Sequence, residues 1–116
     1  MADDERNILE AVTIVLGPEY DITQAQRGDR ALELFRQESF DLVISDVRMP
    51  GLDGVDFFRE VRKLKPEQKF VFISVPSLFY DDPETGRIVT EEADGFLGKP
   101  YRIAELIELV ETVLAK

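Results

Sequence analysis

Residues 40–54 constrain the fold more than any other stretch of the chain. Leu42, Val43 and Ile44 form a short uninterrupted apolar run, the pattern of a strand buried on both faces. The run ends at Ser45 and Asp46, and Pro50, Gly51 and Gly54 then break the backbone into a loop. Strands of this kind belong to parallel sheets covered by helices, and such sheets gather ligands at the carboxyl ends of their strands. Asp46 stands at one of those ends, where a carboxylate can act as a nucleophile, a metal ligand or both.

The rest of the chain alternates between helical and strand patterns. Ile8, Leu9, Val12, Val15 and Leu16 predict a helix over residues 7–16, stopped by Gly17 and Pro18. The β-branched run from Val12 to Val15 also suits a strand, and both readings stay open. Residues 20–25 alternate as a short strand, and a helix opens at Gly28 and Asp29 with Ala31, Leu32, Leu34 and Phe35 inward. Residues 41–45 form the next strand and residues 55–64 the next helix. Residues 70–75, aromatic, β-branched and uncharged, are the plainest strand. Residues 83–92 allow only a marginal helix with Asp82 as cap, the kind of element available for switching. Gly95–Gly98 is a last short strand and Ile103–Leu114 a closing amphipathic helix. This alternation predicts one α/β domain over residues 1–116, with a doubly wound parallel sheet.

Charge and missing residue types narrow the function. Fourteen basic against 24 acidic side chains leave a formal charge of −10. Such a surface repels nucleic acid and suits a site that gathers a divalent cation. The chain has no cysteine and no histidine, which excludes disulfides, thiolate–zinc sites, histidine triads and histidine metal centres. No apolar run reaches membrane-spanning length and no signal peptide opens the sequence, so a cytoplasmic location is expected.

Four features converge if the sheet is parallel: Asp3-Asp4-Glu5 ahead of the first helix, Asp46, Ser74 at the tail of a strand, and Lys99-Pro100 after the last one. Each alone is ordinary as a turn aspartate, a helix-start charge cluster, a strand-end hydroxyl or a surface lysine. Together they place carboxylates, a hydroxyl and an ammonium on one carboxyl-terminal rim. Carboxylates suit Mg²⁺, which relieves their mutual repulsion. This set is what phosphoryl transfer to a carboxylate requires. Asp46 is the expected nucleophile, with Lys99 and Ser74 on the phosphoryl oxygens.

At this point the chain resembles the receiver domain of bacterial two-component response regulators. The strongest parts are residues 41–54, centred on Asp46, and residues 93–100, with Phe96, Lys99 and Pro100. The resemblance implies a flavodoxin-like (βα) fold and a phosphoryl group arriving on Asp46 from a sensor histidine kinase or phosphotransfer protein. It implies Mg²⁺ held by Asp3, Asp4, Asp46 and the backbone carbonyl of Arg48. Ser74 becomes the hydroxyl that moves toward the phosphoryl group, Phe96 the aromatic switch and Lys99 the phosphoryl contact, with a cis bond before Pro100. The signalling face is then residues 83–92, Phe96 and Ile103–Leu114, read by a downstream effector or output domain.

The chain departs from that family at its start. A receiver opens with a buried strand before the acidic pair, and here only Met1 and Ala2 precede Asp3. In the family order 2-1-3-4-5 that strand lies inside the sheet. Losing about four buried apolar side chains removes roughly 6–12 kcal/mol. That is comparable with the whole stability of a domain, about 5–15 kcal/mol. Three outcomes are open: oligomerisation or strand exchange with another copy, a sheet rebuilt from residues 12–16, or a four-stranded remnant. Assembly that buries the exposed edges is favoured. The functional alternative is a truncated or degenerate receiver acting as an interaction or oligomerisation module without phosphorylation. Val75 beside Ser74 is larger than the family's usual residue, and Ser77 to Tyr80 form an apolar patch for the core or for a partner. An aspartate-nucleophile phosphatase would carry a second aspartate where Arg48 stands, and dinucleotide binding would need a glycine fingerprint that is absent.

Overall fold

The computed structural model describes residues 1–75 and 82–116. The Ser77–Tyr80 patch lies outside the described residues. Helix α1 (Arg6–Leu16) is followed by α2 (Gly28–Gln37), β1 (Val43–Asp46), α3 (Gly54–Leu64) and β2 (Phe70–Ser74). Then come α4 (Pro83–Arg87), which widens into a π-helical turn over Ile88–Glu92, β3 (Gly95–Gly98) and α5 (Ile103–Leu114).

The three strands form a parallel sheet in the order β1-β2-β3. The register pairs Asp46 with Ile73 and Ser74 with Gly98, so both candidate side chains reach the same carboxyl edge. Helices cover both faces, as a sheet buried on two sides demands. On one face α2 and α3 pack Ala31, Leu32, Phe35, Phe57, Phe58 and Val61 against Phe70 and Phe72. On the other, Val12 and Leu16 of α1 and Leu106 and Val110 of α5 meet Ile44 and Ile73.

Residues 12–16 are helix, which settles one open reading. Leu9, Val12 and Leu16 fall on one buried stripe of α1, while Ile14 is left 76% exposed. Burying that stripe outweighs the modest helix penalty of the β-branched run.

The sheet near the amino terminus differs from expectation. Residues 20–25 do not form a regular strand. Instead Ala2 makes isolated parallel bridges to Ala25 on one side and Ser45 on the other. The amide of Ala2 donates to Ile44 O at 2.8 Å and its carbonyl accepts from Asp46 N at 2.9 Å. Asp3 N donates to Ala25 O at 3.0 Å. Met1 to Asp3 therefore supply a few parallel rungs between residues 20–25 and β1, too few to organise residues 20–25 into a regular strand. Neither a rebuilt sheet nor a full fourth strand forms among the described residues.

The marginal segment 83–92 is helical and capped as expected. The Asp82 carboxylate accepts from Glu84 N at 3.2 Å and from Thr85 Oγ1 at 2.7 Å. Its second half departs from α-helix into the wider π turn, with Ile88 and Val89 buried.

Candidate functional site at the carboxyl edge of the sheet

The site begins with Asp46. It closes β1, and its backbone is held by the Ala2 carbonyl on one side and by β2 on the other. Beyond it the chain must turn sharply into α3. Gly54 makes this possible, because a Cβ there would collide with the carbonyl oxygen of Asp46. Gly51, at φ +82°, supplies the left-handed residue of the same loop. Asp53 caps α3 through Gly54 N at 3.1 Å. Burial pushes the Asp53 carboxyl above its ordinary pKa.

Lys99 follows β3 and enters from the opposite side. Its amide donates to the Ser74 carbonyl at 2.8 Å, which ties it to the end of β2, and the Lys99–Pro100 bond is cis. Its Nζ lies 2.6 Å from Asp46 Oδ2, 3.5 Å from Asp3 Oδ2 and 3.4 Å from Glu5 Oε1. Burial opposes the ammonium charge, but the hydrogen bond and charge of Asp46, with the charges of Asp3 and Glu5, hold its pKa above the usual lysine range. Lys99 stays protonated and bridges the acidic amino-terminal segment to the end of β1.

Asp3 is fully buried, at 0% exposure. Its Oδ1 accepts from Glu5 N at 2.9 Å, while its Oδ2, 3.5 Å from Lys99 Nζ, has no hydrogen-bond partner among the described residues. Burial raises its pKa above the ordinary carboxylate value, against the lowering effects of the Glu5 amide and Lys99. Carboxylate oxygens of Asp3, Asp4 and Glu5 lie within 4.8 Å of one another. A buried carboxylate oxygen without a donor, beside two exposed carboxylates, fits a small hard cation with oxygen preference.

The residues singled out from sequence are placed unequally. Asp3, Asp46 and Lys99 converge. Asp4 stands exposed beside Asp3. The Arg48 amide faces Asp46 Oδ1 at 3.4 Å, so the loop wraps the acidic edge. Ser74 is buried at the same edge, its Oγ turned to the Val75 carbonyl at 3.5 Å. Phe96 lies across from Phe72 and packs, half-buried, against the core cluster on the α2–α3 side. Glu5 belongs to the acidic run, where the sequence gives it no separate role, and the structure adds it as a Lys99 partner. Tyr101 also borders the site, its pKa raised by burial and then by Asp3. Its place directly after Lys99-Pro100 was the available signal.

A parallel α/β domain with buried carboxylates and a fixed ammonium gathered at the carboxyl edge of its sheet is the class of protein that the fold and site define. Comparison with known proteins makes this specific. Residues 1–111 match the response regulator receiver domain, and the chain belongs to that family. It is 34% identical over 99 residues to the sensor kinase CckA of Brucella abortus, covering 84% of this chain and 10% of that protein. The chain thus spans about a tenth of that relative's length. The receiver domain of NtrX from Brucella abortus superposes with a TM-score of 0.85 at 28% identity, covering 99% of this chain and 96% of that one. The response regulator TrrA of Thermotoga maritima, solved in complex with Mg²⁺-BeF, gives a TM-score of 0.81 at 33% identity, covering 97% and 94%. The fold is the flavodoxin-like receiver type with its first strand shortened, and the family serves two-component phosphorelay signalling.

Proposed function

We propose that this chain is a phosphoryl-accepting receiver with Asp46 as the acceptor. The observation that carries the reading is the 2.6 Å contact between Lys99 Nζ and Asp46 Oδ2 in a buried acidic pocket. An Asp46 oxygen attacks the phosphorus of a phosphohistidine on a sensor histidine kinase or phosphotransfer protein. The new P–O bond forms as the P–N bond breaks, and the imidazole nitrogen leaves with the electron pair. Lys99, now paired with Asp46, moves its ammonium onto a phosphoryl oxygen and offsets the incoming charge. Ser74 turns its hydroxyl from the Val75 carbonyl to another phosphoryl oxygen.

Asp3, Asp4, Asp46 and the Arg48 carbonyl would hold Mg²⁺, with Glu5 at the rim of the group. When bound, the ion neutralises the crowded carboxylates and polarises the phosphoryl oxygens. Occupation of Asp46 changes the partners available to Lys99 and Ser74 at the ends of β3 and β2. Phe96 and the α4–β3–α5 face respond, and a downstream effector or output domain reads that face. The short α4 and its π turn suit such a switch, since π-bulged segments concentrate at functional sites.

Incubation with acetyl phosphate and MgCl₂, followed by intact-mass measurement, is expected to add one phosphoryl group. Asp46→Asn is expected to abolish the addition. An unchanged mass in the parent protein would reject phosphoryl acceptance in favour of the non-phosphorylating interaction module.

A further inference from the structure

Glu5 occupies the N-cap of α1, yet its side chain makes no cap bond there. Its carbonyl accepts from Ile8 N at 3.1 Å and Leu9 N at 3.2 Å, and its amide donates to Asp3 Oδ1 at 2.9 Å. The backbone is thus held on both sides. Serine, threonine, aspartate or asparagine at this position would return a side-chain oxygen to the helix. The longer glutamate sends its carboxylate to Lys99 instead, with Oε1 3.4 Å from Nζ. A local rule broken in this way points to a use elsewhere.

Lys99 carries three N–H donors and faces three carboxylates. It donates to Asp46 Oδ2 at 2.6 Å and to Glu5 Oε1 at 3.4 Å, whereas Asp3 Oδ2 stands 3.5 Å away and unbonded among the described residues. The three carboxylates have different fates in the proposed reaction. Asp46 is esterified, and Asp3 belongs to the set that holds the cation. Glu5 alone stays free to keep Lys99 throughout. The lysine also borders a groove of about 530 Å³ between α1 and the start of α5, walled by Ile8, Val12, Val75, Tyr101 and Ile103. Glu5 is the one carboxylate among the described residues that line this groove. An ammonium released from Asp46 finds no other counter-charge on that side.

We propose that Glu5 is a positioning residue for Lys99, holding one N–H of the ammonium while another passes from Asp46 Oδ2 to a phosphoryl oxygen. The proposal rests on the reading of Asp46 as the acceptor. Anchored on its outer side, the ammonium pivots over the site instead of leaving it, and it stays within reach of the oxygens whose charge it offsets. Glu5 also sets a negative charge near an anionic donor, which works against this benefit. That charge is screened, because the Glu5 side chain is 59% exposed, while its contact with Lys99, only 15% exposed, is direct. The contact therefore outweighs the repulsion.

Glu5→Asp separates this role from a structural one. It keeps the charge and supplies a better N-cap, but its carboxylate is one methylene short of Lys99. The thermal midpoint is expected to hold or rise, while labelling of Asp46 by acetyl phosphate at saturating MgCl₂ slows by about fivefold or more. Labelling within twofold of the parent overturns the proposal. So does a slowing that vanishes at saturating MgCl₂, which would assign Glu5 to the cation. A second readout uses the protein in EDTA without a phosphoryl donor. Proton exchange of the Lys99 ammonium with water, followed by ¹⁵N–¹H NMR, is expected to quicken by about fivefold or more in both Glu5→Asp and Glu5→Gln. Exchange equal to that of the parent overturns the proposal. An unlabelled parent protein would reject Asp46 as acceptor, and the exchange rates alone then decide whether Glu5 holds Lys99.

Discussion

The two sides of β1 are built to different standards. Toward β2 and β3 every rung is paired, and Phe70, Val71, Phe72 and Ile73 are each at 0% exposure. Four phenylalanines lock that side: Phe58 meets Phe70 edge-on at 5.0 Å and Phe70 meets Phe72 at 4.9 Å between ring centroids, with Phe57 edge-on to Phe70. Arg62 seals its rim, bonding Asp94 Oδ2 at 3.0 Å while that same oxygen accepts Phe70 N at 2.8 Å. Toward residues 20–25, among the described residues only Met1 to Asp3 bridge the gap, through backbone hydrogen bonds beside a large cavity. A run of two-sided apolar side chains closes its own core. Three residues can set a register but cannot fill the volume that register encloses.

The closed side should therefore hold most of the stability, and truncating it gives the largest expected effect. Phe72→Ala removes a fully buried ring that touches both Phe58 and Phe70. The expected loss is about 3–5 kcal/mol in urea unfolding, enough to unfold a marginal domain. A loss below about 1 kcal/mol would show that the aromatic cluster is not where the stability resides.

Lys99 links the two sides, and its removal tests that link. Lys99→Met keeps the length of the stem but leaves Asp46, Asp3 and Glu5 without their shared cation. Breaking a buried pair by removing one partner should cost about 3 kcal/mol at pH 7. The deficit should shrink on acidification, as Asp3, whose pKa burial raises, takes up a proton, and on addition of MgCl₂. A deficit that ignores both pH and magnesium would mean Lys99 acts through packing alone.

The same contrast explains what could be read from the sequence. The strands on the closed side were legible because their apolar runs have only one way to be buried. The convergence of Asp3, Asp46 and Lys99 was legible because parallel strands bring their carboxyl ends to one edge. Residues 12–16 were ambiguous, since Val-Thr-Ile-Val favours strand locally while the Leu9–Val12–Leu16 stripe favours helix. Only packing against α5 and β1 decides between them. Residues 20–25 misled, because their alternation is real but their partner is three residues long. The π turn at Ile88–Glu92 has no local signature, and its wider winding shows only in the folded chain. Glu5 went without a role because its reach to Lys99 depends on how α1 begins, not on its neighbours in sequence.

The open side carries a smaller effect of its own, through the Met1 amine. Burial lowers its pKa from 8.0 to about 6. Below pH 6 the amine is protonated in both states, and the folded protein bears the full cost of a buried charge. Between pH 6 and 8 the unfolded chain holds the proton more tightly, so stability rises with pH and levels off above 8. That lowering corresponds to about 2–3 kcal/mol of stability gained across the window. Asp3 acts in the opposite sense and at lower pH. Its raised pKa makes stability fall as pH climbs from its unfolded value of 3.8, so the two contributions are distinguished by sign. Urea unfolding at pH 5.5, 7 and 8.5 in EDTA-containing buffer should show the rise, and acetylation of the Met1 nitrogen should remove it. A rise that survives acetylation would place the titrating group elsewhere. Its absence from the parent protein would mean that the ammonium is solvated and the open side looser than its backbone ladder implies.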